Sequence, residues 1–296
     1  MFLASGVELV IAQCTSGIIG TIPALNARPS AQFDDWLFEI EAALAEWDRD
    51  HAETPAAPFG VNLIVHKSNP RLEEDLALCV AHKVPLVISS MGAREDVNQA
   101  VQAYGGVTLH DVTNQAHARK AIEKGATGLI AVAAGAGGHA GMQSPFALVE
   151  ELRAWCDGPI ALAGAIGTGR AVAAARMMGA DFAYIGSAFL ATEEAHISTA
   201  QKAAVVEATA ADIVYTPAFS GTPANYLRCS ISATGLDPDN LPTTRRAIDV
   251  AAQDGAAKTW TDIWGCGQGV GSSHSVEPTA VLVDRIVRDY EDAIAN

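Results

Sequence analysis

Short apolar runs alternate with helical segments through much of this 296-residue chain, and the alternation limits the fold more than any other feature. The runs are almost continuously apolar, which is typical of parallel strands covered on both faces. The segments between them carry apolar residues at helical spacing and often end in glycine. Repeated strand–helix units predict a parallel sheet. We place its strands at seven runs, 17–25, 58–65, 84–89, 106–112, 127–132, 159–164 and 182–187.

The strand count favours a closed barrel over an open doubly wound sheet. Residues 1–6 (MFLASG) resemble the end of a further strand whose beginning is absent. Seven strands and this remnant fit a TIM (β/α)8-type barrel with a truncated first strand. Because a missing strand exposes two unpaired sheet edges, we expect poor solubility. We also expect residues 1–296 to form a single domain, in which the loop-rich and helical segment 211–270 covers one end of the barrel.

Composition restricts the class of partner. The net charge is −15, and no basic stripe is present, which disfavours nucleic acids and anionic membrane surfaces. No apolar run is long enough to span a bilayer, and no signal peptide is recognisable. The five cysteines are scattered without a C-x-x-C pair, which indicates a reducing compartment. We therefore expect a cytoplasmic protein without a nucleic-acid or membrane partner.

Two glycine-rich loops, 135–141 (GAGGHAG) and 164–170 (GAIGTGR), follow apolar runs. Neither is a G-x-G-x-x-G fingerprint, and Asp181, at the spacing of a ribose-binding acid, precedes its strand, so we reject a dinucleotide-binding fold. The loop at Gly164 and a further turn at Gly186 follow the seventh and eighth strands of the expected barrel. TIM barrels commonly bind a phosphate group there through backbone N–H groups. The alternative is that these glycines only form turns.

His139 stands on the loop after the sixth strand of the expected barrel. Its glycine neighbours allow close approach to a ligand, and a neutral imidazole can accept a proton near neutral pH. The alternative is a histidine on a surface loop. Asn62, His110 and Asp111 lie inside apolar runs, where each forms either a structural hydrogen bond or a contact to a cofactor. Neither an H-E-x-x-H nor a G-x-S-x-G motif occurs, so we expect neither a metal site nor a serine hydrolase.

The motifs resemble those of the nitronate monooxygenases, FMN-containing TIM barrels formerly called 2-nitropropane dioxygenases. The resemblance spans nearly the whole chain and is carried by residues 7–29, FGVNL (59–63), AGAGGHAG (134–141), LAGAIGTGR (162–170), YIGSAFLATEEA (184–195), AFSGTPANYLR (218–228) and DIWGCGQGVG (262–271). It implies that Asn62 contacts the flavin ring, and that His139 is the base beside it. It also implies FMN contacts by further residues, namely Gly137 and Gly138 at the loop and Gly164, Tyr184, Ile185, Gly186 and Ser187 at the phosphate.

The resemblance further implies oxidative denitrification, in which a nitronate gives electrons to FMN and oxygen takes them up. The base extends this activity to neutral nitroalkanes by removing a carbon-bound proton. Family members usually start with a complete first strand that ends beside the flavin, and Met1 falls near that end, so we expect weak FMN retention. Two alternatives stay open: an NAD(P)H-dependent FMN reductase of the quinone reductase or enoyl-ACP reductase type, and a flavin-binding protein without turnover. A homo-oligomer also stays open.

Overall fold

A computed structural model of the chain describes residues 1–241 and 259–295. Its central sheet consists of parallel strands in the order β1-β2-β3-β4-β5-β7-β8, which follows the chain. The bounds are Gly20–Pro23 (β1), Phe59–Ile64 (β2), Leu86–Ser90 (β3), Val107–Val112 (β4), Gly128–Val132 (β5), Ile160–Ala163 (β7) and Phe182–Ala183 (β8). These seven strands curl into the α/β TIM-type arrangement that the alternating pattern predicts.

Helices cover the outside of the sheet. Their bounds are Val7–Thr15 (α1), Ser30–Asp50 (α2), Leu72–Ala81 (α3), Glu95–Gln102 (α4), Gln115–Glu123 (α5), Pro145–Arg153 (α6), Gly169–Met177 (α7), Thr199–Glu207 (α8), Arg228–Ala233 (α9) and Thr279–Ala295 (α10). The helix α10 contacts both α7 and α1, so it closes the ring of helices between the two ends of the sheet.

Strand β4 shows how the two faces of the sheet are used. Leu109 joins the apolar cluster inside the curl, whereas His110 points outward, and its Nε2 lies 3.0 Å from Asn98 Oδ1 on α4. Burial lowers the pKa of His110 to about 4, so the imidazole is neutral. The sequence left open whether His110 forms a structural hydrogen bond or contacts a cofactor, and the structure shows the hydrogen bond, to Asn98. Asp111, the next residue, lies on the inner face.

The prediction of a strand remnant at residues 1–6 is wrong. Residues 2–4 form a turn, in which the backbone N–H groups of Ala4 and Ser5 donate to the Met1 carbonyl. Asn26 Nδ2 also donates to the carbonyls of Met1 and Ser5, so a side chain holds the backbone on both sides of this turn. Within the described residues β1 and β8 do not pair with each other, and they form the two ends of the sheet.

Other boundaries differ from the expected ones. The run 182–187 is a strand only at Phe182–Ala183, because the chain turns into a 3-10 helix at Ser187–Ala191. The described part of the expected covering segment 211–270 contributes strands β9 (Ile213–Thr216) and β10 (Ala224–Leu227), and its residues 242–258 lie outside the described residues. Among the residues described, no helix combines the length and the apolar character needed to cross a membrane.

His82, at the end of α3, is held between two carboxylates of α2. Its Nε2 lies 2.8 Å from Asp34 Oδ1, and its Nδ1 lies 3.1 Å from Glu41 Oε2. Burial lowers the pKa of His82, but the hydrogen bonds and charges of Asp34 and Glu41 outweigh it, so the pKa is raised above its usual value. The protonated imidazole therefore joins the two helices by charge-assisted hydrogen bonds.

We expect His82→Gln to lower the free energy of unfolding by about 1 kcal/mol in mildly acidic solution, because the carboxylates are partly exposed. A raised folded-state pKa gives stability that is complete below the unfolded value of about 6.5 and is lost as pH rises through the folded value. Urea unfolding between pH 5.5 and 9 should therefore show a difference that shrinks with rising pH. The exposed His274→Gln is the control, and a difference independent of pH would contradict the prediction.

Candidate active site

Loops at the carboxyl ends of β5, β7 and β8 contact one another and bring most of the predicted site residues together. The Ala165 N–H donates to the Gly135 carbonyl at 3.3 Å, which joins the loops after β5 and β7. Gly164 has a φ of +139°, and a Cβ there would lie 2.8 Å from the Ala134 carbonyl oxygen. Both the backbone conformation and the lack of space therefore require glycine at this position.

Ser187 ties the loop after β8 to the tail of the chain. Its Oγ accepts a hydrogen bond from the Gly267 N–H at 2.8 Å. A Cβ on Gly137 would lie 2.9 Å from the Gly267 nitrogen and 3.1 Å from Ser187 Oγ, so glycine is needed for this close packing. At Gly186, by contrast, φ is −118° and a Cβ would meet only the Met1 side chain, at 3.6 Å. A side chain at Gly186 would therefore meet less crowding than one at Gly137 or Gly164.

The third glycine of the GAIGTGR motif has a packing role. A Cβ on Gly169 would lie 2.1 Å from the Ile286 carbonyl oxygen of α10, so glycine permits the close contact between α7 and α10. Thr168 caps α7, because its side chain accepts a hydrogen bond from the Ala171 N–H. The helix thus begins directly after the loop that follows β7, as a phosphate-binding turn requires.

His139 lies on a short strand, which corrects its predicted place on a loop. The strand β6 (Gly138–His139) pairs antiparallel with β10, where His139 is opposite Ala224, and β10 pairs with β9. Tyr215 Oη of β9 also donates to the Ala140 carbonyl at 3.0 Å. The strand forms because residues from the tail supply its pairing partners, and a local sequence pattern carries no such information.

A set of hydrogen bonds determines which nitrogen of His139 carries the hydrogen. His139 Nε2 lies 3.0 Å from Ser220 Oγ. The single hydroxyl hydrogen of Ser220 goes to the Thr222 carbonyl at 2.9 Å, so Oγ accepts from Nε2–H. The Tyr226 hydroxyl also donates to Ser220 Oγ, at 3.4 Å. Nδ1 has no hydrogen-bond partner in the described part of the chain and is left with its lone pair.

The surroundings of His139 keep it neutral. The Trp260 ring meets the imidazole edge-on, with the ring centroids 5.5 Å apart. Burial lowers the pKa of His139 below its usual value. A neutral imidazole with Nε2–H engaged and Nδ1 open can act as a proton acceptor. Ser220 was not among the predicted site residues, although it lies in the motif AFSGTPANYLR (218–228), because it is 81 residues from His139 along the chain.

Asn62 stands on β2 at the same end of the sheet. Its Nδ2 donates to Ser90 Oγ at 2.5 Å, and Ser90 Oγ donates to Asp111 Oδ2. Burial raises the pKa of Asp111 to about 6, although the Ser90 hydrogen bond opposes the change. Asn62 and Asp111 thus form structural hydrogen bonds, one of the two roles left open for them. Ser90 was not among the predicted site residues. It directly follows the apolar run 84–89, and a polar residue at that place signals the end of a strand.

Tyr184 packs against the apolar cluster inside the barrel and interacts with the charge of Asp111. Burial and, to a smaller extent, the charge of Asp111 raise the pKa of its phenol to about 12, although a hydrogen bond with Thr21 of β1 opposes the change. The phenol therefore stays protonated. Its backbone N–H donates to the Leu162 carbonyl at 2.8 Å, so Tyr184 extends the pairing of β8 with β7. Within the described residues no group of three or more His, Cys, Asp or Glu side chains could hold a metal ion.

Comparison with known proteins relates this arrangement to one family. Residues 47–288 match the family model described as nitronate monooxygenase. A nitronate monooxygenase of Paraburkholderia phytofirmans is 28% identical over 277 residues, which cover 86% of this chain and 74% of that protein. A putative monooxygenase of Mycobacterium tuberculosis is 27% identical over 245 residues, which cover 78% of this chain and 65% of that protein. The chain therefore spans about two thirds of the length of the mycobacterial relative.

Solved structures show the same fold. A nitroalkane oxidase from Streptomyces ansochromogenes superposes with a TM-score of 0.81 at 23% identity, over 99% of this chain and 94% of that chain. FabK from Thermotoga maritima superposes with a TM-score of 0.79 at 22% identity, over 100% of this chain and 92% of that chain. The predicted TIM-type fold is thereby confirmed. The family model covers well over half of the chain, and the protein therefore belongs to the nitronate monooxygenase family, whose members are oxidoreductases.

Proposed function

We propose that this protein oxidises alkyl nitronates with oxygen as the electron acceptor, and that it also uses neutral nitroalkanes. The observation that carries the proposal is the state of His139, a neutral imidazole with its hydrogen donated to Ser220 and its Nδ1 open. A nitroalkane must lose a carbon-bound proton before it can give up electrons, and Nδ1, with its free lone pair, is the proposed acceptor of that proton. A nitronate has already lost that proton, so its oxidation does not need the base.

The residues of the site fit FMN as the cofactor. The loops after β7 and β8 offer backbone N–H groups for a phosphate at Gly164, Ile185, Gly186 and Ser187, and a Cβ on Gly186 would meet only the Met1 side chain. The Tyr184 N–H is already bonded to the Leu162 carbonyl, so Tyr184 would line this pocket without donating that group. The glycines at 137 and 138 would allow the backbone of the His139 strand to approach the bound ring, and Asn62 would contact the ring through its amide group. When bound, FMN supplies the redox chemistry by accepting an electron pair from the substrate and passing it to oxygen.

Anaerobic titration distinguishes this proposal from its alternatives. We expect the flavin-loaded protein to bleach on addition of an alkyl nitronate and to stay oxidised with NADH or NADPH. Bleaching by NAD(P)H alone would instead favour a reductase. A flavin spectrum that no donor changes would indicate a binding protein without turnover, and absence of any flavin after incubation with FMN would contradict the proposed cofactor.

The role of Ser220 can be tested by removing its hydroxyl group. In Ser220→Ala the Nε2–H of His139 loses its acceptor, so both tautomers become accessible. We expect kcat/KM for a nitroalkane to fall roughly tenfold, the worth of one hydrogen bond to a buried group, while the value for the nitronate stays within about twofold. Ser220→Thr keeps the hydroxyl and should restore the nitroalkane reaction. Parallel losses on both substrate forms would contradict a role through the tautomer of His139.

A further inference from the structure

Three side chains form a hydrogen-bonded row inside the barrel, from β2 to β4. Asn62 Nδ2 donates to Ser90 Oγ, and Ser90 Oγ donates to Asp111 Oδ2. The register brings them together, because Asn62 pairs with Ile88 and Ser89 pairs with His110, which places Ser90 between Asn62 and Asp111. The row lies at the carboxyl end of the strands, where TIM barrels bind ligands.

The direction of the row is determined by its donors. Asn62 Nδ2 has two hydrogens, of which one goes to Ser90 Oγ and the other to the Ile88 carbonyl, 3.4 Å away. Ser90 has one hydrogen, and the Asp111 carboxylate accepts it. If the Asn62 amide turned over, its oxygen would face two acceptors and lose both bonds. Asn62 Oδ1 therefore points away from the row and has no hydrogen-bond partner in the part of the chain that the structure describes.

A contribution to the stability of the fold does not explain why the Asp111 carboxylate is buried. Asp111 Oδ1 is buried and has no hydrogen-bond partner among the described residues. A buried acid with one oxygen unpaired lowers stability, and such groups are common at functional sites. The groups that face Asp111 are Ser90, the Tyr184 phenol and the amino group of Met1.

We propose that Asp111, acting through Ser90, is a positioning residue that holds the Asn62 amide with its oxygen free to accept a hydrogen bond from a ring N–H group. This inference rests on the proposed binding of FMN. The oxidised flavin ring carries one such group, N3–H, between two carbonyls that an amide oxygen would repel. Asn62 thereby selects the N–H edge of the ring, and Asp111 maintains this selection by preventing the amide from turning over.

The test compares the binding of FMN with that of 3-methyl-FMN, in which a methyl group replaces the N3 hydrogen. Affinities for the full chain are measured by quenching of flavin fluorescence. We expect the protein to bind FMN roughly tenfold more tightly than the methylated form, the worth of one hydrogen bond. In Ser90→Ala and in Asp111→Leu the affinities for FMN and for 3-methyl-FMN should differ by no more than about twofold. Ser90→Thr keeps the hydroxyl group and should restore the preference for FMN.

A purely structural role for the row predicts a different result. Replacing a buried, incompletely paired carboxylate with an apolar residue is often neutral or stabilising, so we expect thermal unfolding of Asp111→Leu at or above the original temperature. A preference for FMN that persists in Ser90→Ala and Asp111→Leu would overturn the inference, because it would reflect only the bulk of the methyl group. Failure of the unchanged protein to bind either flavin would instead overturn the proposed cofactor.

Discussion

Replacing His139 with asparagine should lower kcat/KM for a neutral nitroalkane by about 10²–10⁴-fold, the usual worth of a general base, and change the value for the matching nitronate far less. Asparagine can keep a hydrogen bond to Ser220 but does not accept a proton at neutral pH. The loss should therefore appear only where a carbon-bound proton must be removed. Oxygen uptake with each substrate form measures the two values, after the FMN content of both proteins has been equalised.

The pH dependence gives a second readout of the same residue. Burial lowers the pKa of His139 below about 6.5, so the imidazole is already neutral at pH 7. Nitroalkane turnover should fall as pH drops through this lowered pKa, because imidazolium cannot accept a proton, and nitronate turnover should not follow it. The exposed His274→Asn is the matched control. Equal losses on both substrates would mean that His139 binds or orients them, and no loss on either would remove it from the mechanism.

Gly186→Val should yield a folded, colourless protein with about 10²-fold weaker affinity for FMN. Two backbone N–H groups that are shielded from a phosphate by the valine side chain lose hydrogen bonds worth about 1–1.5 kcal/mol each. Gly186 is the suitable position because its φ of −118° suits any residue and its Cβ would meet only the Met1 side chain. Gly164 is unsuitable, since its φ of +139° would strain any other residue and confuse misfolding with loss of binding.

The flavin absorbance of the purified protein and a fluorescence titration with FMN measure this effect. Gly271→Val is the matched control, because a Cβ there would meet only Thr209 Cα, at 3.9 Å. Circular dichroism and thermal unfolding should be alike in both variants. Full FMN content with unchanged affinity in Gly186→Val would show that the phosphate is bound elsewhere.

Much of the fold was predictable because the signals that specify it are local. A parallel strand covered on both faces must be apolar almost throughout, so the apolar runs marked the strands of the sheet. Their alternation with helical segments predicted a parallel sheet, and the count of seven strands favoured the TIM-type arrangement over an open sheet. Local backbone geometry likewise accounts for Gly164, whose positive φ only glycine adopts without strain. The resemblance to the nitronate monooxygenases rested on such short motifs, and the family is confirmed.

Only the tertiary structure decided how the side chains of the candidate site are held. His139 is on a strand because residues of β10 pair with it, and its tautomer follows from Ser220, 81 residues away. The Asn62 amide oxygen points away from the row because Ser90, on another strand, accepts a hydrogen bond from Asn62 Nδ2. Ser90 in turn donates to Asp111 on a third strand. Residues 2–4 form a turn, and Asn26, distant along the chain, binds the carbonyls of Met1 and Ser5 on either side of it. A hydrogen bond has a direction that depends on where both partners lie, and partners distant along the chain are brought together only by folding.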